Sequence, residues 1–195
     1  MCIRDRIKGL EFEANARLGR DMFGSGDELR LMGSLGWIDA EYTEFVTLIG
    51  GQPTDVSEFR TVQNTPEWSG SATLGYTTPV ASGDLYLGST VSYRSETSQF
   101  EIPNPYLDQP GYALLDASIV WTSEDGGFSL GLYGRNLTDK EYRTSGYTFV
   151  VADPETGAIA TNADGLPIPS LGTEGTLTAF YGNPRQVYLT ATIEF

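Results

Sequence analysis

The chain has 195 residues, of which 26 are acidic and 12 basic, giving a formal net charge of −14. This excess of acid argues against a nucleic-acid partner, which binds basic surfaces. Histidine is absent and Cys2 is the single cysteine. The sequence therefore excludes a Ser-His-Asp triad, a histidine zinc site and an intrachain disulfide, and it predicts neither an enzyme nor a cofactor nor a metal site.

The start of the sequence contains no targeting or anchoring signal. No apolar run approaches the about 18 residues of a transmembrane helix, and Met1 is followed by CIRDR rather than by an apolar stretch. The opening MCIRDR resembles a translated adapter. We expect residues 1–7 to be a non-native start, and residues 8–195 to be the protein itself.

Strict alternation of apolar and polar residues recurs seven times along the chain. In LEFEANARL, Leu10, Phe12 and Ala14 point to one side while Glu11 and Glu13 point to the other. The same pattern predicts strands at about 8–18, 29–42, 68–77, 85–95, 112–121, 128–142 and 186–195. In the segments as we frame them, charges fall only on the polar face: Glu11, Glu13, Arg17, Arg30, Arg94, Asp116, Arg135 and Glu194.

The strands of a soluble β-sandwich also alternate between apolar and polar residues, but the placement of aromatic residues favours an antiparallel transmembrane β-barrel. Large aromatics of the apolar face stand at strand ends, as in the two girdles of such a barrel. Trp37, Trp68 and Tyr93 belong to one end, and Tyr76, Trp121, Phe128 and Phe195 to the other. Small residues such as Gly33, Gly70 and Ala72 lie in mid-strand on this face.

The connections alternate between short turns and long loops. The long loops at 43–67, 96–111 and 143–185 all emerge on one side, and we expect them to be extracellular and without evident secondary structure. Bacterial single-chain barrels have an even number of strands, and seven is odd. The sequence therefore predicts the C-terminal part of a larger barrel in the bacterial outer membrane, with its C-terminus in the periplasm.

The segment LYGRNLTDKEYRTSGY resembles the penultimate strand of TonB-dependent outer-membrane receptors. Its matching positions include Gly134, Asn136, Leu137, Asp139 and Tyr142. FYGNPRQVYLTATIEF then resembles the closing segment of that family, through Gly182, Pro184 and Arg185. Upstream, GLEFEANARL resembles a further strand of these receptors. Tyr188 and the terminal Phe195 resemble the signal that the barrel assembly machinery recognises.

The resemblance implies a barrel of about 22 strands around an N-terminal plug domain. Such receptors take up scarce ligands, commonly ferric siderophores or cobalamin and in some members carbohydrates. The inner-membrane TonB-ExbB-ExbD complex supplies the energy through an N-terminal box. Outer-membrane lipid, the plug and the remaining strands would be partners of this chain. A passive porin-like channel or an adhesin barrel stays open as the alternative.

Ligand-contacting residues are not identified by the sequence. In the loop 143–185, Asp153, Glu155, Asp164 and Glu174 could gather Ca²⁺, but their spacing is that of solvated turns. Loop aromatics could stack on a ligand or pack on neighbouring loops. They are Phe45, Phe59, Phe100, Phe149, Phe180 and Tyr181. We expect Asn136, Asp139 and Tyr142 to shape the barrel rim, with ligand or plug contact as the less favoured role.

Overall fold

The computed structural model describes residues 2–171 and 176–194. Its strands, numbered in chain order, are β1 (Cys2–Arg20), β2 (Glu28–Ile49), β3 (Gln52–Asp55), β4 (Trp68–Pro79), β5 (Gly83–Arg94), β6 (Tyr112–Ser123), β7 (Phe128–Arg135), β8 (Arg143–Phe149), β9 (Thr176–Tyr181) and β10 (Gln186–Ile193). A short 3₁₀ helix covers Ser57–Phe59. Across the two described ranges, no helix is long and apolar enough to cross a membrane.

Seven strands form one antiparallel sheet in the order β1-β2-β4-β5-β6-β7-β10. This confirms the predicted all-β fold and its seven main strands. β3 pairs with the end of β2, and β8 and β9 form a separate hairpin. Because each main strand pairs with the next, the long connections meet at one end of the sheet and the short turns at the other. β1 and β10 are the two edges of the described sheet.

The pairing register confirms which residues share a face. Leu10 lies opposite Trp37 and Phe12 opposite Leu35, while Leu35 in turn lies opposite Gly70. Residues directly opposed across an antiparallel pair point to the same side of the sheet. The apolar face therefore runs unbroken from β1 to β10. Its side chains are open to the surroundings, with Phe12 at 66% and Leu189 at 68% exposure.

Several strand boundaries differ from those predicted. β1 begins at Cys2, and Cys2–Ile7 pairs with the Ala40–Val46 part of β2, so the expected non-native start is part of the sheet. Its origin stays a prediction. The strand predicted at 128–142 ends at Arg135, because Asn136 and Asp139 adopt positive φ angles of 47° and 53° and turn the chain.

The loops contain a small core, contrary to the expectation that they lack structure. Phe45, Val56 and Leu107, the buried hydrophobic residues of the described chain, all lie at the loop end of the sheet. The loops also bond to each other: the N–H of Thr61 donates to the carbonyl of Glu101. We call the segments 50–67, 95–111, 143–171 and 176–181 the loop cap.

Arg60 joins two parts of the loop cap. It is only 9% exposed, and its Nη1 and Nη2 donate to the carbonyls of Glu155 and Pro154 at 3.1 and 3.2 Å. The guanidinium also stands over the ring of Phe45, 5.8 Å from its centroid. Backbone carbonyls and an aromatic face thus replace water around this buried cation.

The short turn between β1 and β2 is organised by a buried carboxylate. Asp27 is 1% exposed and accepts hydrogen bonds from the backbone N–H groups of Met22, Phe23 and Gly24, each at 2.8 Å. The hydroxyl of Tyr76 on β4 donates to it at 2.9 Å. Burial acts to raise the pKa of Asp27, but these donors together hold it below its usual value.

We predict that Asp27→Asn destabilises the protein in a pH-dependent way. The lowered pKa means that the ionised carboxylate stabilises the fold fully above about pH 4 and loses this effect as the pH falls through the native pKa. The difference in unfolding free energy between wild type and variant should therefore shrink on acidification. Urea unfolding in detergent micelles at several pH values measures it.

Tyr76→Phe is the matched control, because it removes one of the four donors and leaves the charge. It should cost less than Asp27→Asn at neutral pH. A difference between wild type and Asp27→Asn that stays constant down to pH 2 would contradict the assignment.

Candidate functional site

The apolar face is bounded by aromatic side chains at both ends. Trp37 and Trp68 lie side by side with their ring centroids 6.4 Å apart, and at the opposite end Trp121 and Phe128 are 6.2 Å apart. Tyr93 lies opposite Gly70, close to the first pair. From Leu29, which opposes Tyr76, to Trp37 is about 26 Å along the strand. This is similar to the about 25 Å apolar band of outer-membrane barrels.

Two of the indole groups donate their N–H bonds to acceptors beyond the ends of the band. Nε1 of Trp37 donates to the carboxylate of Glu67 at 3.1 Å, beyond the loop end of β4. Nε1 of Trp121 donates to the carbonyl of Val80 at 3.1 Å, in the short turn at the other end. Aromatic rings with one apolar and one polar end are suited to a membrane–water interface.

Beyond Trp37 the same face becomes charged. Lys8 lies opposite Asp39, Arg6 opposite Glu41, and Arg4 opposite Glu44. Arg6 forms a salt bridge with Glu41, and Arg4 does so with Glu44 at 3.5 Å. The expectation of a charge-free face is therefore wrong for the outer parts of the predicted strands 8–18 and 29–42.

This switch from apolar to charged marks a boundary of the band. β1 and β2 have 19 and 22 residues, whereas a strand crosses a bilayer with about 9–11. The extra residues continue past Trp37 toward the loop cap. Charges on a lipid-facing position cost about 2–4 kcal/mol at the midplane and much less near the interface. The three charge pairs are therefore suited to water or head groups beyond the aromatic belt.

The opposite face of the sheet is polar, as the inner wall of an outer-membrane barrel is. Ser34 and Ser71 share a hydrogen bond of 3.0 Å, and Thr73 and Thr90 one of 2.8 Å. Glu11 and Glu13 are exposed on β1 of this wall. Arg94 reaches the loop cap, where its Nη2 donates to the carbonyl of Asn64 at 2.8 Å.

Near β10 the polar wall carries stacked aromatic rings. Tyr133 and Tyr188 stack with centroids 5.1 Å apart and an interplanar angle of 13°. The guanidinium of Arg135 lies 6.0 Å from the Tyr188 ring centroid. The Tyr133 ring lies across Gly131, where a Cβ would meet it at 2.5 Å. The wall beside the last strand is thus lined by flat aromatic rings.

Asn136 forms several hydrogen bonds that link the NLTDKEY segment to neighbouring parts of the chain. It is 4% exposed, and its Nδ2 donates to the carbonyls of Lys140 at 2.9 Å and Asn183 at 3.0 Å. Its Oδ1 accepts from the N–H of Lys140 at 2.8 Å, and its own N–H donates to Asp116 at 2.8 Å. The backbone N–H of Asn136 thereby joins the turn after β7 to β6, and its side-chain amide joins that turn to the segment before β10.

Several of the remaining motif residues also join the turn after β7 to the segment before β10. Oδ1 of Asp139 accepts from the N–H of Arg185 at 2.9 Å, next to Pro184. Tyr142 stacks on Tyr112 with centroids 4.6 Å apart. A Cβ on Gly182 would overlap the Tyr142 ring. A Cβ on Gly134 would crowd Leu137 in the same way. We call the residues 134–142 and 182–185 the rim clasp.

Other candidate residues are dispersed. Asp153 accepts from the N–H and hydroxyl of Thr156, which lower its pKa, and its oxygens serve a turn. Within residues 2–171 and 176–194 no group of three or more acidic, histidine or cysteine side chains could hold a metal ion. Glu174 and Phe195 lie outside the described residues.

The loop aromatics have different environments. Phe45 is buried in the loop cap and Phe59 is 36% exposed, while Phe100 is half-buried. On the β8–β9 hairpin, Phe149 and Phe180 gather around Tyr147. Tyr181 is exposed at the end of β9. The hairpin aromatics are thus the accessible group, and Phe45 packs the cap.

A family model for the β-barrel of TonB-dependent receptor-like proteins matches residues 4–137. The chain belongs to this TonB-dependent receptor β-barrel family. The match begins inside β1 and ends within the rim clasp, so Asp139, Tyr142, Gly182, Pro184 and Arg185 lie beyond it. A search of curated proteins finds no match.

Solved structures share the fold of this TonB-dependent receptor barrel. The ferric yersiniabactin uptake receptor FyuA from Yersinia pestis is 20% identical with a TM-score of 0.63, and the alignment covers 99% of this chain and 24% of that chain. The siderophore receptor PiuA from Acinetobacter baumannii is 19% identical with a TM-score of 0.61, and the alignment covers 97% of this chain and 22% of that chain. The chain therefore spans about a quarter of the length of these receptors.

We predict that Asn136→Ala opens the rim clasp. It removes three side-chain hydrogen bonds at a buried position and leaves two carbonyls and one N–H without that partner, which should cost about 3 kcal/mol. Denaturant unfolding of the protein in lipid vesicles measures the loss. Asn15→Ala, at an exposed amide on the polar wall, is the control and should cost under about 0.5 kcal/mol. Equal costs would contradict the clasp.

Proposed function

We propose that this chain is the C-terminal part of the barrel of an outer-membrane receptor for TonB-energised uptake of a ferric siderophore. The observation that carries the proposal is the continuous apolar face between two aromatic belts, backed by a polar wall. Contact with lipid would account for the apolar face, and a water-filled or plugged lumen would account for the polar wall. The family match supports a receptor, and hence a transport protein rather than an enzyme.

The siderophore is proposed over cobalamin or a carbohydrate because PiuA is named a siderophore receptor and FyuA a ferric yersiniabactin uptake receptor. We propose Tyr147, Phe149 and Phe180 as accessible aromatic surface for an aryl ligand group. These rings lie on one hairpin of the loop cap, with the Tyr147 centroid 6.5 Å from that of Phe149 and 5.8 Å from that of Phe180.

In this proposal the loop cap faces the outside and the short turns face the periplasm. The C-terminus then lies on the periplasmic side. Phe195, together with Tyr188 nearer the loop end of β10, would serve recognition by the barrel assembly machinery. The charge pairs beyond Trp37 support this orientation, because the longest strands project from the bilayer on the side of the long loops. Transport itself would need a plug, further strands and the TonB-ExbB-ExbD complex.

The rim clasp is proposed to be structural. Its polar side chains are satisfied within the chain by neighbouring backbone, and Asn136 is buried. Groups already satisfied in this way have little capacity left for a ligand. The clasp instead fixes the entry into β10, the strand that would close the barrel against the first strand of a complete receptor.

The deciding experiment is uptake by the full-length receptor. The gene is recovered with its flanking sequence and expressed in cells lacking their own siderophore receptors, with and without TonB. We expect radioactive iron delivered as a ferric siderophore to accumulate only with TonB. A variant deleted for the N-terminal TonB box is the matched control and should fall to background.

The rival function gives a different result. Equal solute entry with and without TonB, and a gene that encodes strands but no plug, would overturn the proposal in favour of a passive channel. Absence of uptake together with cell-surface binding would favour an adhesin.

A further inference from the structure

The short turn between β1 and β2 presents two large apolar side chains to its surroundings. Phe23 is 76% exposed and Met22 is 52% exposed, so the Phe23 ring is more open than that of Phe12 on the apolar face. Turns at a protein surface are usually built from polar residues and glycine, as in the SEDGG turn between β6 and β7. We call residues 21–27 the Met-Phe turn, because it departs from that rule at its tip.

Both apolar side chains of the Met-Phe turn fold back onto the apolar face of the sheet. Gly19 lies opposite Leu29, and Leu29 in turn lies opposite Tyr76, so these three positions share that face. A Cβ on Gly19 would overlap the sulfur of Met22, which shows that the thioether lies over this glycine. The Phe23 ring meets the Tyr76 ring edge to face, with the centroids 5.9 Å apart. The turn thus continues the apolar face past the ends of its strands.

The buried carboxylate of Asp27 holds the turn in this arrangement. The backbone N–H groups of Met22, Phe23 and Gly24 all donate to it. The hydroxyl of Tyr76 donates to the same carboxylate, so one group joins the turn to the ring on which Phe23 packs. Because three backbone donors are directed inward to the carboxylate, the outer surface of the turn is left to the apolar side chains.

The position of Phe23 does not depend on the edge of the sheet. Its ring packs on Tyr76 of β4, and β2 separates β4 from β1. A strand added beside β1 in a complete barrel would therefore not reach this ring. The charged residues next to the turn, Arg20 and Glu28, pair with each other on the polar wall. The apolar side of the turn is thus bounded by the apolar band on its own face.

We propose that the Met-Phe turn is a membrane anchor, with Met22 and Phe23 inserted among the phospholipids of the periplasmic leaflet. This inference rests on the proposed function, which places the apolar band in lipid and the short turns at the periplasmic end. Apolar side chains at an interface enter the boundary between head groups and acyl chains to a depth of about 5–10 Å. Continuity with Tyr76 of the lower aromatic belt favours lipid over a protein as the partner.

The anchor has a consequence for the position of the barrel in the membrane. β1 and β2 are the two longest strands, and their outer parts project past Trp37 into charged surroundings. The Met-Phe turn joins the opposite ends of the same two strands. Insertion of this turn would oppose a shift of β1 and β2 toward the loop side, because such a shift would bring Phe23 into water.

Spin labelling of the full-length receptor, in vesicles of phosphatidylethanolamine and phosphatidylglycerol, tests the anchor. In a cysteine-free background one nitroxide is attached at Phe23→Cys, and its collision rates with oxygen and with a water-soluble nickel chelate are measured. The ratio of oxygen to nickel collisions should be about fivefold higher at position 23 than at Glu124→Cys in the SEDGG turn, which is the matched control. Leu74→Cys, in the apolar band of β4, is the reference for lipid.

A second variant tests the part that Asp27 plays in the anchor. Asp27→Asn replaces one acceptor oxygen by a donor, so at least one N–H group of the turn loses its partner. The collision ratio of the label at position 23 should then fall about twofold, toward that of position 124, while the label at position 74 stays unchanged. If this variant does not assemble, the comparison of positions 23 and 124 in the unaltered turn still decides whether the turn is inserted.

The outcomes separate this inference from the proposed function. Lipid-type collision ratios at positions 23 and 74, with a water-type ratio at position 124, support the anchor. A water-type ratio at position 23 beside a lipid-type ratio at position 74 would overturn the anchor alone, as would equal lipid-type ratios at 23 and 124. A water-type ratio at position 74 would overturn the anchor together with the lipid-facing band on which the proposed function rests.

Discussion

Backbone N–H and C=O groups inside a bilayer have no water to bind, so every one of them must bond within the protein. An antiparallel ladder satisfies these groups, and each side chain then points to one face of the sheet or to the other. The pairing register from β1 to β10 decides which face each side chain of these strands takes. Leu35, Gly70 and Tyr93, for example, fall on one side because their pairing places them there. The apolar band, the aromatic belts and the polar wall all follow from this constraint.

The same constraint explains where the protein has a core. Within the described residues the sheet buries little, since its apolar face is open, as the proposed contact with lipid requires, and the buried apolar side chains Phe45, Val56 and Leu107 lie at the loop end. There the surroundings are water and the hydrophobic effect acts in its usual direction. The loop cap is accordingly a small folded unit, tied by Arg60 and by backbone bonds between loops.

Much of the fold could be predicted from the sequence because period-two alternation is a local signal. Leu10, Trp37 and Trp68 were assigned to the apolar face correctly, and each strand was found near its true position. The end of β7 at Arg135 was missed, because LYGRNLTDKEY continues in polar residues and the turn at Asn136 is held in part by a contact 47 residues away. The alternation by itself does not report such long-range bonds.

The candidate site, too, could be predicted from the sequence only in part. Gly182 and Tyr142 were recognised as motif residues, but their contact, and the roles of Tyr112 and Asp116 in the rim clasp, depend on tertiary packing. The salt bridges of Arg17, Arg20 and Arg30 with Glu28 were missed for a different reason. Arg17 and Arg30 read as ordinary wall charges until the register places them opposite each other. Lys8, Asp39 and Glu41 were likewise unremarkable in sequence, and the pairing shows that they lie on the same side as Leu10 and Trp37.

The central claim is that the outward face leaves lipid at Trp37. A cysteine scan along β2 in a Cys2→Ser background tests it most directly, with a water-soluble and a lipid-soluble thiol reagent on protein in vesicles. The account predicts that cysteines at 29, 31, 33, 35 and 37 react from lipid alone, and that those at 39 and 41 react from water. Water-soluble labelling at 31, 33 and 35, or lipid labelling that continues unchanged through 41, would contradict it.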